Sequence, residues 1–283
     1  GSSVDVVGRL IAQKIAANTG QGITVDNKTG ASGNIGTDFA ARAKPDGYTL
    51  LLGSPGTLAI NPWLFKKLPY DALKDFVPIS VLVSFPQVVT TSPKQPFKNF
   101  NEFVTAVKAQ PDKMAYSSSG QGSTSHLVME LIRADAGLKI THVSYRGDSL
   151  ATQAMMAGDV QVTVGGLPSM SPLIRGGNVR PLAVTSNKRS PQFPDLPSMA
   201  EFIPGFDATA WVLLMAPAGT PPAVVARLER AAREAVAEAA IRQKLIDVGV
   251  DPRGTSAAEL ATFWDQQLAV WIPIIRASGA TAD

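Results

Sequence analysis

Apolar residues along the chain follow two alternating patterns, a helical spacing and short continuous runs. Apolar positions at helical spacing between Val4 and Ile15 predict a first helix, which glycines shortly after it would end. The run YTLLLGS at 48–54 is typical of a strand buried on both faces, and ITVDN at 23–27 predicts a shorter strand. Helix and strand patterns alternate again from about Phe97 onward. This order predicts an α/β fold with largely parallel sheets.

Two α/β units in series, followed by a mainly helical C-terminal stretch, predict a discontinuous first domain. We assign residues 1–92 and 216–283 to domain 1 and residues 93–215 to domain 2. Two strands would cross between the domains, near residues 88–93 and 210–216, and act as a hinge. A hinged pair of α/β domains encloses a cleft that can close on a ligand.

Composition excludes several classes of protein. The 283 residues are 45% hydrophobic and 17% charged, as in an ordinary globular chain. A net charge of +3 without a block of Lys or Arg, with 7% aromatic residues, gives no support for nucleic-acid binding. The absence of cysteine excludes disulfides, thiol catalysis and zinc–thiolate sites. No apolar run reaches the length that spans a membrane.

The stretch SSSGQGSTSHLVMEL at 117–131 places glycines and hydroxyl residues directly before an apolar-periodic run. A dinucleotide loop would need a third glycine at Ser125, and a phosphate loop would need a lysine, which residues 114–138 lack. What remains is a strand, a turn and a helix capped by Ser123 or Ser125. The free N–H groups and dipole of such a helix start favour an anion. An ordinary cap in a serine-rich turn explains the pattern equally well.

The sequence contains no recognisable catalytic constellation. Its two histidines are His126, in the first turn of a predicted helix, and His142, within a predicted strand. There is no G-x-S-x-G elbow and no H-E-x-x-H pair, and the carboxylates are scattered. The residues therefore offer no catalytic group, no metal site and no cofactor site.

Similar glycine-hydroxyl turns follow several other predicted strands: GASGNIG at 30–36, GSPGT at 53–57, YRGDS at 145–149 and GGLPS at 165–169. Open α/β sheets bind ligands at the carboxyl ends of their strands. Convergence of these turns on one cleft would form a site of backbone N–H and hydroxyl donors. Short loops between strands and helices also use glycine for ordinary structural reasons.

Several longer motifs resemble the Bug family, the extracytoplasmic solute receptors of tripartite tricarboxylate transporters. They are GASGNIGTDFAARAKPDGYTLLLG, INPWLFKKLPYDALKDFVPIS, YSSSGQGSTSHL, HVSYRG, the PLAVTS to PDLPS run and MAPAGTP. The resemblance covers nearly the whole chain. It implies a two-domain Venus-flytrap protein of the periplasm without enzymatic activity, a monomer that passes a small carboxylate to membrane transporter subunits. The family's opening strand and Pro-Gly-Gly loop are cut here, so that only residues 1–5 remain and no signal peptide is present.

The resemblance also implies the ligand-binding residues. On the domain 1 side they are Gly1, Ser2, Ser3, Gly53, Ser54 and Thr57, with Asn61 nearby. On the domain 2 side they are Ser118, Ser119, Gly122, Ser123, Thr124, Tyr145 and Gly147.

The chain departs from the family pattern at three further positions that we include in the site. Gly165 and Gly166 replace an Asp or Asn that is common before Leu-Pro, and Phe85 is bulkier than expected. We expect these changes to enlarge one wall and to suit a larger or partly apolar carboxylate, such as an aromatic one. The predicted ligand class is thus a dicarboxylate or an aromatic carboxylate. Two rival functions stay open, a hydrolase-like enzyme on a two-domain scaffold and a sensory module for the same ligands.

Overall fold

The computed structural model describes residues 2–278. Its helices are α1 (Ser3–Thr19), α2 (Asn34–Ala41), α3 (Asn61–Leu64), α4 (Phe100–Ala109), α5 (Thr124–Asp135), α6 (Asp148–Ala157), α7 (Leu167–Arg175), α8 (Pro222–Ala237), α9 (Ala239–Asp247) and α10 (Ala257–Ser278). Its strands are β1 (Leu51–Gly53), β2 (Phe76–Phe85), β3 (Gln87–Thr91), β4 (Ala115–Ser118), β5 (Thr141–Ser144), β6 (Val162–Gly166), β7 (Arg180–Val184), β8 (Ala210–Pro217) and β9 (Asp251–Pro252). A π-helical turn covers Gly56–Ile60.

The helices begin and end where the local sequence predicts. The Ser2 hydroxyl caps α1 by accepting from Asp5 N at 3.3 Å, and α1 ends at Gly20 in the left-handed conformation. Asn99 caps α4 in the same way, accepting from Glu102 N at 2.9 Å. These caps satisfy backbone N–H groups that have no partner within the helix.

The strands form two sheets, and neither is mainly parallel. The first sheet has the order β1-β8-β2-β9 and is antiparallel throughout. The second has the order β5-β4-β6-β3-β7, parallel across β5-β4-β6 and antiparallel where β3 lies between β6 and β7. The expectation of largely parallel sheets was therefore wrong. Because β2 leads out of the first unit and β8 leads back into it, these strands run in opposite directions and pair antiparallel.

The segment at 23–27 was also predicted wrongly as a strand. Its backbone joins no sheet among residues 2–278, and most of its side chains are exposed. A strand is stabilised by its ladder, and an alternating sequence without a paired neighbour does not form one.

Each sheet belongs to one α/β unit, and the chain passes between them twice. The first passage lies at Pro86, between β2 and β3, and the second precedes β8. Near the second passage, Ala208 N donates to Thr185 O at 2.9 Å. The domain boundaries at 92/93 and 215/216 stay a prediction, and sheet membership favours boundaries near Pro86 and Thr209.

The core is built from both faces of these sheets and from the C-terminal helices. Trp211 of β8 is 1% exposed, packs edge-on against Phe263 and Trp264, and donates through Nε1 to Gln267 Oε1 at 2.6 Å. Helix α10 contacts both β2 and α5, and thus bridges the two units. Among residues 2–278, no helix is long and apolar enough to cross a bilayer.

Candidate ligand-binding cleft

A continuous cavity of about 1560 Å³ runs from the space between the two units into a groove beside α1. Residues 21–29 and 46–52 line the groove. Ligand pockets commonly have volumes of roughly 300–1,000 Å³. The part between the units, which is lined from both sides, is therefore the candidate binding cleft.

The wall from the first unit is made by the start of α1 and by the turn after β1. Ser2 and Ser3 line the cavity at the helix start, and Ser54, Gly56 and Thr57 line it at the turn. The Thr57 hydroxyl lies 3.4 Å from both the N and the O of Ser54, so it closes the turn on itself. The π-helical turn then begins at Gly56, at the wall of the cavity.

A second loop of this wall, residues 30–33, was missing from the predicted site. Ala31 and Ser32 have φ of 44° and 54°, an uncommon conformation for residues other than glycine. The Ser32 hydroxyl donates to Gln121 O at 2.6 Å, so the loop reaches across to the second unit. The glycine-hydroxyl pattern of GASGNIG had marked this turn, and only the tertiary contact shows its position in the cleft.

The serine-rich loop of the second unit uses most of its hydroxyls to build its own turn. Ser123 caps α5 by accepting from His126 N at 3.3 Å. The Ser125 hydroxyl accepts from Ser119 N at 3.1 Å and lies 3.0 Å from the Ser123 hydroxyl. Thr124, at the first position of α5, lines the cavity.

The two histidines lie behind this loop as a stacked pair. Their ring centroids are 4.0 Å apart, His126 Nδ1 accepts from Gly122 N at 3.1 Å, and His142 Nε2 lies 2.6 Å from the Ser118 hydroxyl. Burial, reinforced by nearby positive charge on Arg133, lowers the pKa of His126 to about 4. Burial, reinforced by His126, lowers the pKa of His142 to about 4.

This Ser118–His142 pair does not form a nucleophilic site facing the cleft. Ser118 is fully buried, and neither it nor His142 lines the cavity. A catalytic pair must reach its substrate, so these residues serve as structural support for the loop. Below them, the Tyr116 hydroxyl donates to the Glu130 carboxylate, which Arg133 Nη2 contacts at 2.5 Å.

The start of α6 adds an acidic group that is not among the predicted site residues. Asp148 is the first residue of α6, is half-buried and lines the cavity beside Gly147. No side chain caps this helix start. Burial raises the pKa of the Asp148 carboxyl, and a hydrogen bond with the Ser119 side chain partly opposes that effect.

The floor of the cleft lies where β2 passes into β3. Phe85, Gln87 and Trp211 line it. Gln87 is 4% exposed, and its amide nitrogen has no hydrogen-bond partner among the described residues. An unpartnered buried donor is costly, so a ligand acceptor that reached this enclosed N–H₂ group would be stabilised.

Of the predicted site residues, many line the cavity: Ser2, Ser3, Ser54, Thr57, Phe85, Ser119, Ser123, Thr124, Tyr145, Gly147 and Gly166. Others do not line it: Gly53, Asn61, Ser118, Gly122 and Gly165. Gly1 lies outside the described residues.

Most of the residues that do not line the cavity support it. Asn61 Nδ2 donates to Asn34 Oδ1 at 2.6 Å. The Tyr70 hydroxyl lies 2.8 Å from the same Asn34 oxygen and 2.7 Å from Thr57 O. A Cβ atom at Gly122, whose φ is +77°, would lie 2.3 Å from Leu64 Cδ2. Gly122 therefore allows the two units to approach each other rather than contacting the ligand.

The expected enlargement at Gly165 and Gly166 is not found. A Cβ atom at Gly166 would lie 2.1 Å from the Ser3 hydroxyl and 2.9 Å from the Phe85 ring, and one at Gly165 would lie 2.2 Å from Met170 Cε. Neighbouring side chains already fill the space that the missing side chains leave. The glycines bring the start of α1 against β6, where Ser3 also hydrogen-bonds to the Ser169 hydroxyl at 3.1 Å.

The cleft as a whole is rich in hydrogen-bond donors and has few positive side chains. Helices α1, α5 and α6 and the π-helical turn all begin at its walls. Helix starts bring free N–H groups and the positive end of the helix dipole. Such an arrangement binds an anionic group without an arginine partner.

Comparison with known proteins identifies the family. A family model described as the tripartite tricarboxylate transporter family receptor matches residues 7–280. This chain belongs to that receptor family. The BugT protein of Bordetella pertussis is 34% identical over 99% of this chain and 86% of its own length.

Similar solved structures confirm the two-domain α/β binding-protein fold. Rpa4515 of R. palustris, solved with adipate, has a TM-score of 0.95 and 32% identity, covering 98% of this chain and 93% of its own. MatC from Rhodopseudomonas palustris, solved with malate, has a TM-score of 0.90 and 32% identity over 97% and 95%. The periplasmic binding protein BugD has a TM-score of 0.94 and 30% identity over 100% and 95%. The family consists of solute receptors, and no comparison supports the hydrolase alternative.

Proposed function

We propose that this protein is a periplasmic receptor that binds a small carboxylate between its two domains and presents it to the membrane subunits of a tripartite transporter. It acts as a monomer and returns its ligand chemically unchanged. The observation that carries the proposal is the convergence of four helix or turn starts on one cavity. The adipate and malate in two related structures support the same chemical class of ligand.

Closure of the two domains would strengthen ligand binding. Contacts already join the walls on opposite sides of the cleft, from Ser3 to Ser169 at 3.1 Å and from Ser32 to Gln121 O at 2.6 Å. When water is excluded, hydrogen bonds to a charged acceptor contribute about 1.5–3 kcal/mol each. Carboxylate binding and domain closure would therefore favour each other.

Binding can be tested by thermal shift and calorimetry against a panel of aliphatic, aromatic and amino-substituted carboxylates. A ligand of the native state raises apparent stability with concentration, by about 2.7 kcal/mol at a hundredfold excess over its dissociation constant. The bound compound is then recovered and analysed. Conversion of the compound would support an enzyme, and no binding across the panel would contradict the proposal.

The variant Thr124→Leu tests where the carboxylate binds. Thr124 is half-buried at the start of α5, and a larger apolar side chain there would obstruct the helix N–H groups. We expect affinity for the best panel compound to fall at least about tenfold, the loss of one such hydrogen bond. Thr105→Leu is the matched control, because Thr105 is exposed on α4, outside the cleft. Equal affinity in the two variants would show that the ligand binds elsewhere.

A further inference from the structure

Asp148 is an acidic group on the wall of a cleft otherwise suited to anions. It is half-buried and lines the cavity beside Tyr145 and Gly147. Its side chain accepts a hydrogen bond from Ser119. Among residues 2–278, no Lys, Arg or His side chain forms an ion pair with it.

The cationic side chains that line the cavity do not neutralise this carboxylate. Lys28 pairs with Asp26 at 2.9 Å. Arg146 is exposed, and Arg227 belongs to α8 at the groove end of the cavity. An ionised carboxylate enclosed with a purely anionic ligand would experience repulsion between like charges and loss of solvent.

Gln87 supplies the complementary half of the site. Its amide nitrogen is an unpartnered donor that is more than nine-tenths buried, on the floor of the same cavity. Together with the helix starts, it offers donors to a ligand carboxylate, whereas Asp148 offers an acceptor. The lining therefore matches a ligand that carries both an anionic group and a charged donor.

We propose that Asp148 selects carboxylates that also carry an ammonium group over otherwise identical carboxylates that lack it. This inference rests on the proposed carboxylate-receptor function and specifies its ligand. The ammonium group donates to the Asp148 carboxylate, while ligand carboxylate oxygens accept from Gln87 and from the helix starts. On binding, the ligand's ammonium group supplies a counter-charge to Asp148.

The test compares matched pairs of compounds by calorimetry at pH 7. The pairs are succinate with aspartate, glutarate with glutamate, and adipate with 2-aminoadipate, which differ only in the amino group. In the wild-type protein, we expect the amino compound of the best-fitting pair to bind about ten- to a hundredfold more tightly, the range of one charge-assisted hydrogen bond.

The variant Asp148→Asn should reduce that preference to within about threefold, because it removes the charge and preserves the shape. Asp159→Asn is the matched control, since Asp159 is exposed beyond the other end of the same helix, and it should keep the wild-type preference. Asp148→Ser provides a second substitution should the asparagine variant fold poorly.

The outcomes separate this inference from the proposed function. Wild-type preference for the plain dicarboxylate at every chain length would overturn the inference and leave the carboxylate receptor intact. Stronger dicarboxylate binding by Asp148→Asn would also overturn it, and would show instead that Asp148 binds as a protonated donor. Absence of binding by every carboxylate would contradict the proposed function itself.

Discussion

Two loops facing the same cleft use their polar groups in opposite ways. In the serine-rich loop of residues 117–125, the hydroxyls of Ser119, Ser123 and Ser125 mainly bond to one another and to the loop backbone. At residues 147–148, no side chain caps the helix, and Asp148 faces the cavity. The serine-rich loop is therefore preorganised by its own hydrogen bonds, whereas the loop at residues 147–148 leaves its groups available to a ligand.

This difference shows that the density of polar residues does not locate a binding contact. A hydroxyl that already donates and accepts within its turn has little left to offer a ligand. Its contribution is rigidity, which lowers the ordering cost of binding. The contacts themselves come from backbone N–H groups at helix starts and from side chains without partners.

The largest effect that we expect is a pH dependence of the free energy of unfolding. It arises from the two histidines that support the serine-rich loop. His126 and His142, with pKa values near 4, are neutral in the folded protein, whereas in the unfolded chain their pKa is near the ordinary 6.5. Between pH 6.5 and about 4 the unfolded chain binds more protons, so the free energy of unfolding falls as pH falls and levels off below pH 4. We expect a total loss on the order of 3 kcal/mol or more, measured by urea denaturation from pH 7.5 to 4.

The variant His142→Gln isolates one histidine. It keeps a polar group opposite Ser118 and removes one titrating site. Its stability should therefore depend less steeply on pH than that of the wild-type protein. A pH dependence equal to that of wild type would assign the acid sensitivity to other groups.

A smaller effect on stability is expected where the serine-rich loop meets the first unit. Gly122→Ala places a Cβ atom at a positive φ and 2.3 Å from Leu64 Cδ2, so both backbone strain and steric overlap oppose it. We expect a destabilisation of about 2–4 kcal/mol by denaturant unfolding. Gly177→Ala is the control, because its φ is +68° and no atom would lie within 4 Å of the added Cβ. It should lose only about 1–2 kcal/mol, and an equal loss at both glycines would show that the overlap is relieved.

The smallest expected effect separates the roles of two adjacent residues. Ser123→Ala removes the cap of α5 and should cost about 1 kcal/mol of stability. Its carboxylate affinity should fall far less than that of Thr124→Leu, measured by calorimetry with the same compound. A larger affinity loss at Ser123 would mean that its hydroxyl contacts the ligand, which would contradict the distinction between the two loops.

Much of the secondary structure could be predicted because it depends on local patterns. Helix α6 covers Asp148–Ala157 because a glycine precedes it and the left-handed Gly158 ends it, and both signals are local. The predicted strand at 23–27 failed because strand formation requires a paired neighbour, which local sequence does not specify. Strand direction failed for a related reason, since it depends on how β2 and β8 connect the two units.

The candidate site was predicted in outline but not in its details. Glycine-hydroxyl turns indicated which loops face the cleft, and most of those loops do line it. The roles of Gln87 and Asp148 could not be predicted, because both depend on which groups the fold brings next to them. Gly166 was misinterpreted, since only the structure shows that Ser3 and Phe85 occupy the space beside it.

The sequence by itself determined the helices, their caps, the two-unit order and the family, because these depend on local spacing and on motifs that lie contiguously in the chain. The tertiary structure decided which polar groups are already paired. Ser118 and Ser119 are neighbours in sequence, yet the first is buried against His142 and the second lines the cleft. Availability to a ligand is a property of the contacts around a group, and those contacts form only when distant segments pack together.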